Sequence, residues 1–315
     1  MSSTSRIDYS LRQNKAIERS IVFDGLKDVY SLTSPREPLV YIGFGSVWFT
    51  DFHLAHRQLG VDDMISIEVD EVTATRAKFN RPYKTIEVLH GDSNDLIPEL
   101  LERPDLRDRP WIVWLDYDKA MDEERIAQLD ELARYAPNGS SIITTFSGTP
   151  GAYGRPNQRA KSISELFDFA SPADLKVDHV RDEDDLSRVL AETVERRLVS
   201  VAIQAGRPRP VPLFSLRYRD GAPMVTVGVH LPGASSLEAV QELTEGKNWP
   251  GKVGKAITTP PLTSREVETI RSLLPAKTAL TRADLQELGL DLEAGQLDAF
   301  VAHYRRYSLF AQLAF

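Results

Sequence analysis

Cysteine is absent from the 315 residues. That excludes disulfides, thiolate metal sites and a cysteine nucleophile. Long hydrophobic runs are also missing. No stretch approaches the ~18 consecutive apolar residues of a membrane span, so none is expected. Met1 to Lys15 is polar and lacks the apolar centre of a secretory signal. Positive charge is in deficit: 38 Lys and Arg stand against 46 Asp and Glu, a formal net charge of −8. A chain that grips nucleic acid through a general basic surface needs the opposite balance, which leaves room only for a local basic patch. The expectation is a cytoplasmic chain with no membrane partner, and the charge balance counts against a nucleic-acid one. Its oligomeric state is not legible.

An ordinary apolar content of 42% is present. At this length it suffices for one large α/β domain and a smaller appendage. Residues 8–32 read as a helix with Ile17, Ile21, Leu26 and Val29 inward. Ser34-Pro35 ends it. Strand-like runs then alternate with helical patterns. The strands are Leu39 to Ile42, Met64 to Glu68, Thr85 to His90, Trp111 to Leu115 and Ser140 to Phe146. The helices between them are Trp48 to Leu59, Glu71 to Phe79, Asn94 to Leu101 and Asp122 to Tyr135. Strands joined by helices of this length make βαβ units and a parallel sheet. Their apolar runs barely alternate, as suits strands covered on both faces.

After Phe146 the pattern changes. Ser147 to Arg159 reads as a loop, and Tyr153, Arg155 and Arg159 stand where a substrate lid would lie. A short helix is expected at Ile163 to Phe169. Asp182 to Asp185 opens a long helix reaching about Gln204. A hairpin follows, with Phe214, Leu216 and Tyr218 alternating, a turn at Asp220-Gly221, and Val225, Val227 and Val229 on the return. Residues 232–262 look irregular. Thr263 with Glu266, and then Thr281, cap helices near the end. The predicted organisation is an N-terminal helical segment (1–35), an α/β domain (36–231) with a loop and helix insertion at about 147–183, and a linker with a small helical module (232–315).

Ligands of open α/β sheets bind beyond the carboxyl ends of the strands. Four successive ends carry unusual residues here. Gly43-Phe44-Gly45-Ser46 lets the backbone turn sharply and approach a ligand. It is not GxGxxG, because Trp48 fills the last place and obstructs a pyrophosphate. Glu68 ends the second strand, where a carboxylate can accept hydrogen bonds from both ribose hydroxyls, although a solvated strand-end acid looks the same. Asp92 and Ser93 follow the third strand. Asp92 can accept from an adenine amino group or cap the next helix. Asp116, Tyr117 and Asp118 follow the fourth strand, where two acids and a phenol suit proton abstraction or substrate positioning, or form a simple polar strand end.

Together these ends resemble the class I SAM-dependent methyltransferases over about residues 36–231. The resemblance implies a doubly wound seven-stranded sheet, with five parallel strands and a C-terminal antiparallel hairpin, and S-adenosylmethionine as cofactor. It implies that Gly43, Gly45 and Ser46 face the methionine part, Glu68 the ribose, Asp92 with Ser93 the adenine, and Asp116 the edge of the active site. Asp116, Tyr117 and Asp118 are the candidate catalytic residues. There are departures from the family. Tyr41 stands where an acid is frequent, and Val47 where a third glycine is. The tail Pro-Pro-Tyr/Phe/Trp of some amino methyltransferases is missing after Asp116. Thr145-Phe146-Ser147 replaces the acidic-amide pair of metal-dependent members, so no catalytic metal is expected. The implied function is methyl transfer to oxygen or nitrogen of a small-molecule or macromolecular acceptor. A catalytically degenerate sensor or scaffold, and a nucleic-acid methyltransferase, are the alternatives. His53 and His56, three apart on a helix, have the spacing of a metal face, but no third ligand is visible nearby and surface or packed histidines are the favoured reading. Arg12, Lys15, Glu18 and Arg19 share one face of the first helix and either close over the cofactor site or face solvent.

Overall fold

The computed structural model describes residues 12–308. Seven strands form one sheet: β1 (Val40–Gly43), β2 (Asp63–Glu68), β3 (Ile86–His90), β4 (Trp111–Asp116), β5 (Ser141–Ser147), β6 (Val211–Arg219) and β7 (Pro223–His230). Their order is β3-β2-β1-β4-β5-β7-β6. The first five are parallel, and β7 runs antiparallel to both β5 and β6. This is the class I methyltransferase sheet that the resemblance implies. Strand order reverses between β1 and β4, which opens a crevice at their carboxyl ends.

Each strand feeds both faces because side chains alternate. Val40, Ile42, Trp111, Val113 and Leu115 point into one core. That core is closed by α5 (Glu123–Tyr135), α6 (Pro156–Phe167) and α7 (Glu183–Gln204). Tyr41, Ile112, Trp114 and Ile143 point into the other. There α1 (Gln13–Thr33) and α2 (Thr50–Leu59) pack, with Ile17, Ile21, Leu26 and Val29 of α1 all buried as expected. Residues 8–11 of the expected first helix lie outside the described residues. The short helices α3 (Glu71–Asn80) and α4 (Ser93–Glu102) start on the side chains of Asp70 and Asp92, which satisfy N–H groups that a helix start leaves open.

Three local expectations are corrected. The helix after β1 starts at Thr50, not at Trp48, because Phe49 takes a left-handed conformation with φ 50°. The segment after β5 is not a plain loop. Arg159 lies inside α6, and Tyr153 sits in a turn of 3-10 helix. Residues 232–262 are also less irregular than they look, since α8 spans Leu237–Glu245. Beyond it the chain runs along β6: Ser215 N–H donates to the Gly251 carbonyl (2.9 Å) and Ile257 N–H to that of Arg217 (2.7 Å). A Cβ at Gly251 would stand 2.0 Å from the Leu213 carbonyl oxygen, so only glycine allows this approach. The strand edge is thereby covered. The capping boxes at Thr263 and Thr281 start α9 (Ser264–Ser272) and α10 (Arg282–Gln286), and α11 (Ala294–His303) follows. Buried Val267, Ile270, Leu285 and Phe300 join the same core as α1.

Candidate functional site

A cleft of about 690 Å³ opens at the carboxyl edge of the sheet, against four strand ends and α1. Cofactor and small-molecule sites are typically about 300–1,000 Å³. Gly45, Ser46, Glu68, Asp92, Ser93, Asp116, Tyr117 and Asp118 all line it. Gly43, buried as the last residue of β1, is not among the lining residues.

The loop after β1 is tied to the tip of β2. Gly45 N–H donates to Ser66 Oγ (3.1 Å), and Ser46 N–H to Glu68 Oε1 (2.6 Å). The Ser66 hydroxyl donates to the same Oε1 (3.0 Å). Ser46 adopts φ 50°, a region that residues other than glycine seldom enter. Gly45 leaves no room for a side chain, as a Cβ would sit 2.6 Å from Ser66 Oγ. Glu68 is buried. Burial pushes its carboxyl up to about 7, against the pull of the Ser66 and Ser46 hydrogen bonds. Among the described residues no donor meets Oε2.

Asp92 caps α4 by accepting from Asn94 N–H (2.9 Å), so the capping role is real, and the side chain still lines the cleft. Ser93 donates to Gln128 Oε1 (3.3 Å). The Tyr117 hydroxyl donates to the same oxygen, and burial raises its pKa well above that of a free phenol. Tyr117 therefore offers the cleft its ring, which lies 5.5 Å from that of Phe44.

The charged face of α1 does not meet solvent. Lys15, Glu18 and Arg19 are buried. Lys15 Nζ stands 2.8 Å from Asp116 Oδ2 and 3.3 Å from Glu18 Oε2. Burial works against its charge, but the carboxylates of Asp116 and Glu18 outweigh it, and its pKa is raised. Burial raises the Glu18 carboxyl, with Lys15 opposing. Arg19 Nε pairs with Asp51 at the start of α2. Asp220, in the hairpin turn, accepts from Asn14 N–H (3.0 Å) and Lys15 N–H (2.7 Å) and so caps α1 from 205 residues away.

Other candidates have structural partners. His53 Nδ1 meets the Tyr83 hydroxyl (3.1 Å), and His56 Nδ1 meets the Val61 carbonyl (3.0 Å). Among the described residues no group of three or more metal-ligating side chains occurs. The expected lid is pinned. Tyr153 donates to the Ser147 carbonyl (2.9 Å), and Arg159 donates to that of Val180 (2.6 Å).

The geometry thus gathers acids, buried cations and a glycine turn over the switch point of a methyltransferase sheet. The model of the family described as "Putative O-methyltransferase" matches residues 7–315. The chain belongs to that family. No curated protein matches the sequence. Among solved structures, the family member is similar to CrArsM, an arsenic(III) S-adenosylmethionine methyltransferase from Chlamydomonas reinhardtii. Identity is 12%, covering 62% of this chain and 64% of that one, with TM-score 0.38. Trm1 from Pyrococcus horikoshii, solved with S-adenosyl-L-methionine, is 14% identical, with 72% and 58% covered and TM-score 0.45. Human N-acetylserotonin methyltransferase, solved with SAM, is 13% identical, with 69% and 56% covered and TM-score 0.33. The chain spans less than two thirds of each of these proteins.

Sequence reasoning found the methyltransferase's strand ends and the polar face of α1. It missed Asp51, Tyr218 and Ser66. Asp51 carried a faint signal as the first acid after the glycine turn. Tyr218 and Ser66 carried none, because each looks like an ordinary alternating strand residue.

Proposed function

We propose that this chain transfers a methyl group from S-adenosylmethionine to an oxygen of an acceptor molecule. Glu68 carries the reading. One of its oxygens fixes the loop after β1, and the other meets no donor among the described residues, beside a cleft of cofactor size. A ribose diol supplies the two donors that such a buried carboxylate requires. The residues therefore fit the cofactor: Glu68 would hold the ribose, Asp92 the adenine amino group, and the backbone around Gly45 and Ser46 the methionine part.

Bound there, S-adenosylmethionine supplies a methyl group already activated by its sulfonium. The protein's task is to align an acceptor oxygen with it and keep water out. Asp116 sits at the end of β4 with Lys15 against Oδ2. Its other oxygen is the group that meets an acceptor hydroxyl and takes or orients its proton. General-base assistance of this kind is typically worth ~10²–10⁴-fold. Asp118, exposed at the rim, is the alternative proton acceptor. Tyr117 shapes the cleft with its ring. The family description supports oxygen over nitrogen as the acceptor atom.

A binding protein without turnover is the second reading, favoured by the pairing of Asp116 with Lys15. Incubation with isotopically methyl-labelled S-adenosylmethionine and cell-extract fractions separates the two. Labelled product with S-adenosylhomocysteine release supports transfer. Tight cofactor binding with no labelled product from any fraction favours the sensor or scaffold.

A further inference from the structure

Two donors in the cleft are left over by the reading above. Arg19 is buried, and its ion pair with Asp51 uses Nε. Among the described residues no acceptor meets its two terminal amino groups, although the side chain lines the cleft. Tyr218 is also buried and lines the cleft, and its hydroxyl has no hydrogen-bond partner among the described residues. The two lie within electrostatic reach of each other and of Asp116. Lys15 sits over the Tyr218 ring, 5.3 Å from its centroid.

These side chains open only onto the cleft, so a ligand that displaces water there must satisfy their donors, the charged one above all. Asp51 pairs with the inner edge of the guanidinium and leaves its two terminal amino groups to a ligand. A guanidinium with both terminal amino groups open matches the two oxygens of a carboxylate. A phenol beside it adds a third hydrogen bond. Asp51 already holds the inner edge of Arg19, so its orientation is fixed before a ligand arrives, and little is spent on ordering it.

We propose that Arg19 and Tyr218 form a carboxylate-binding site in this cleft. This rests on the reading of the cleft as a methyltransferase site. The carboxylate comes from one of two sources, the amino-acid end of the cofactor or a carboxylated acceptor. Either gives the same local chemistry: two parallel N–H bonds from Arg19 and one O–H bond from Tyr218. The site sits on α1 and β6, elements that the strand-end residues do not include.

The test is calorimetric binding to the purified full chain, with Tyr218→Phe and Arg19→Lys as variants. Tyr218→Phe removes only a hydroxyl. Arg19→Lys keeps a cation beside Asp51 but loses the fork. The first arm compares S-adenosylhomocysteine with its decarboxylated analogue. The second compares benzoate with benzamide, with and without S-adenosylhomocysteine. If the cofactor is the source, S-adenosylhomocysteine binds at least tenfold more tightly than the decarboxylated analogue, and both variants erase that difference. If an acceptor is the source, benzoate binds where benzamide does not, and both variants weaken it about tenfold with S-adenosylhomocysteine affinity unchanged. The site is overturned if neither carboxylate outbinds its neutral counterpart, or if folded variants leave both preferences intact. Failure of every adenosyl ligand to bind would instead strike the functional reading, while the benzoate arm without cofactor still decides the carboxylate site.

Discussion

Lys15 of α1 and Asp116 of β4 meet at 2.8 Å, joining the first helix to the switch point of the sheet. Glu18 closes the other side of the ammonium, and its carboxyl accepts from Thr226 (2.6 Å). Removing one partner from a buried pair leaves the other uncompensated. Lys15→Met is therefore expected to cost about 3–5 kcal/mol in urea unfolding. The double variant Lys15→Met/Asp116→Asn should recover part of that loss. A single variant as stable as the wild type would show that Asp116 and Glu18 do not depend on the ammonium.

Glu68 sets a pH dependence for ligand binding. Ribose hydroxyls donate to the ionised carboxylate, so binding selects the deprotonated form. With the free carboxyl pushed up to about 7 by burial, affinity for S-adenosylhomocysteine should rise with pH, approaching about tenfold for each pH step of one in the acid limb, and level off above 7. Glu68→Gln should bind more weakly and lose that slope. A wild-type profile flat from about pH 5.5 to 8, a window that spans this carboxyl's titration, would remove Glu68 from the ribose.

Asp220 caps α1 across the fold. Asp220→Ala should cost about 0.5–2 kcal/mol of stability, the usual range for a lost helix cap. It should also weaken ligand binding, because α1 carries Lys15 and Arg19. Loss of stability with wholly unchanged affinity would separate the helix start from the site.

The strand ends were legible because short apolar runs must stop where water begins, and the residues just past them stand alone. Glu68, Asp92 and Asp116 were found that way. The capping box at Thr263 and the cap at Thr281 were equally plain, since their signals are local. The burial of Lys15, Glu18 and Arg19 was not legible. A helix face with charges at these spacings looks solvated, and only Asp51 and Asp116, from other elements, make it an interior face. The helix Leu237–Glu245 was missed because flanking Gly, Pro and Lys dominate the local composition. Its anchor, Val240, is buried against distant parts of the chain.

His230 marks a second pH-sensitive point, in stability. Tyr30 donates to Ser141 Oγ (2.9 Å), and Ser141 Oγ meets His230 Nδ1 (3.1 Å). Burial lowers the imidazole to about 4, while an unfolded histidine titrates near ~6.5. Between those values the unfolded chain binds the extra proton, so stability is full above about 6.5 and falls as pH drops to about 4. The expected loss is about 3 kcal/mol, since each tenfold difference in proton affinity between the folded and unfolded chain is worth roughly 1.4 kcal/mol. Denaturant unfolding of wild type and His230→Gln across this window measures it. Parallel acid limbs in the two proteins would assign the loss elsewhere.

The most direct test of the cofactor site is calorimetric titration of the purified chain with S-adenosylhomocysteine and with NAD, alongside Glu68→Ala. Saturable S-adenosylhomocysteine binding is expected, with NAD much weaker because Trp48 stands at the cleft where a pyrophosphate loop needs glycine. Glu68→Ala should lose about 1.5–3 kcal/mol of that binding, the worth of hydrogen bonds to a charged group, and remain folded. Tighter binding of NAD than of S-adenosylhomocysteine, or full S-adenosylhomocysteine affinity in folded Glu68→Ala, would contradict the account.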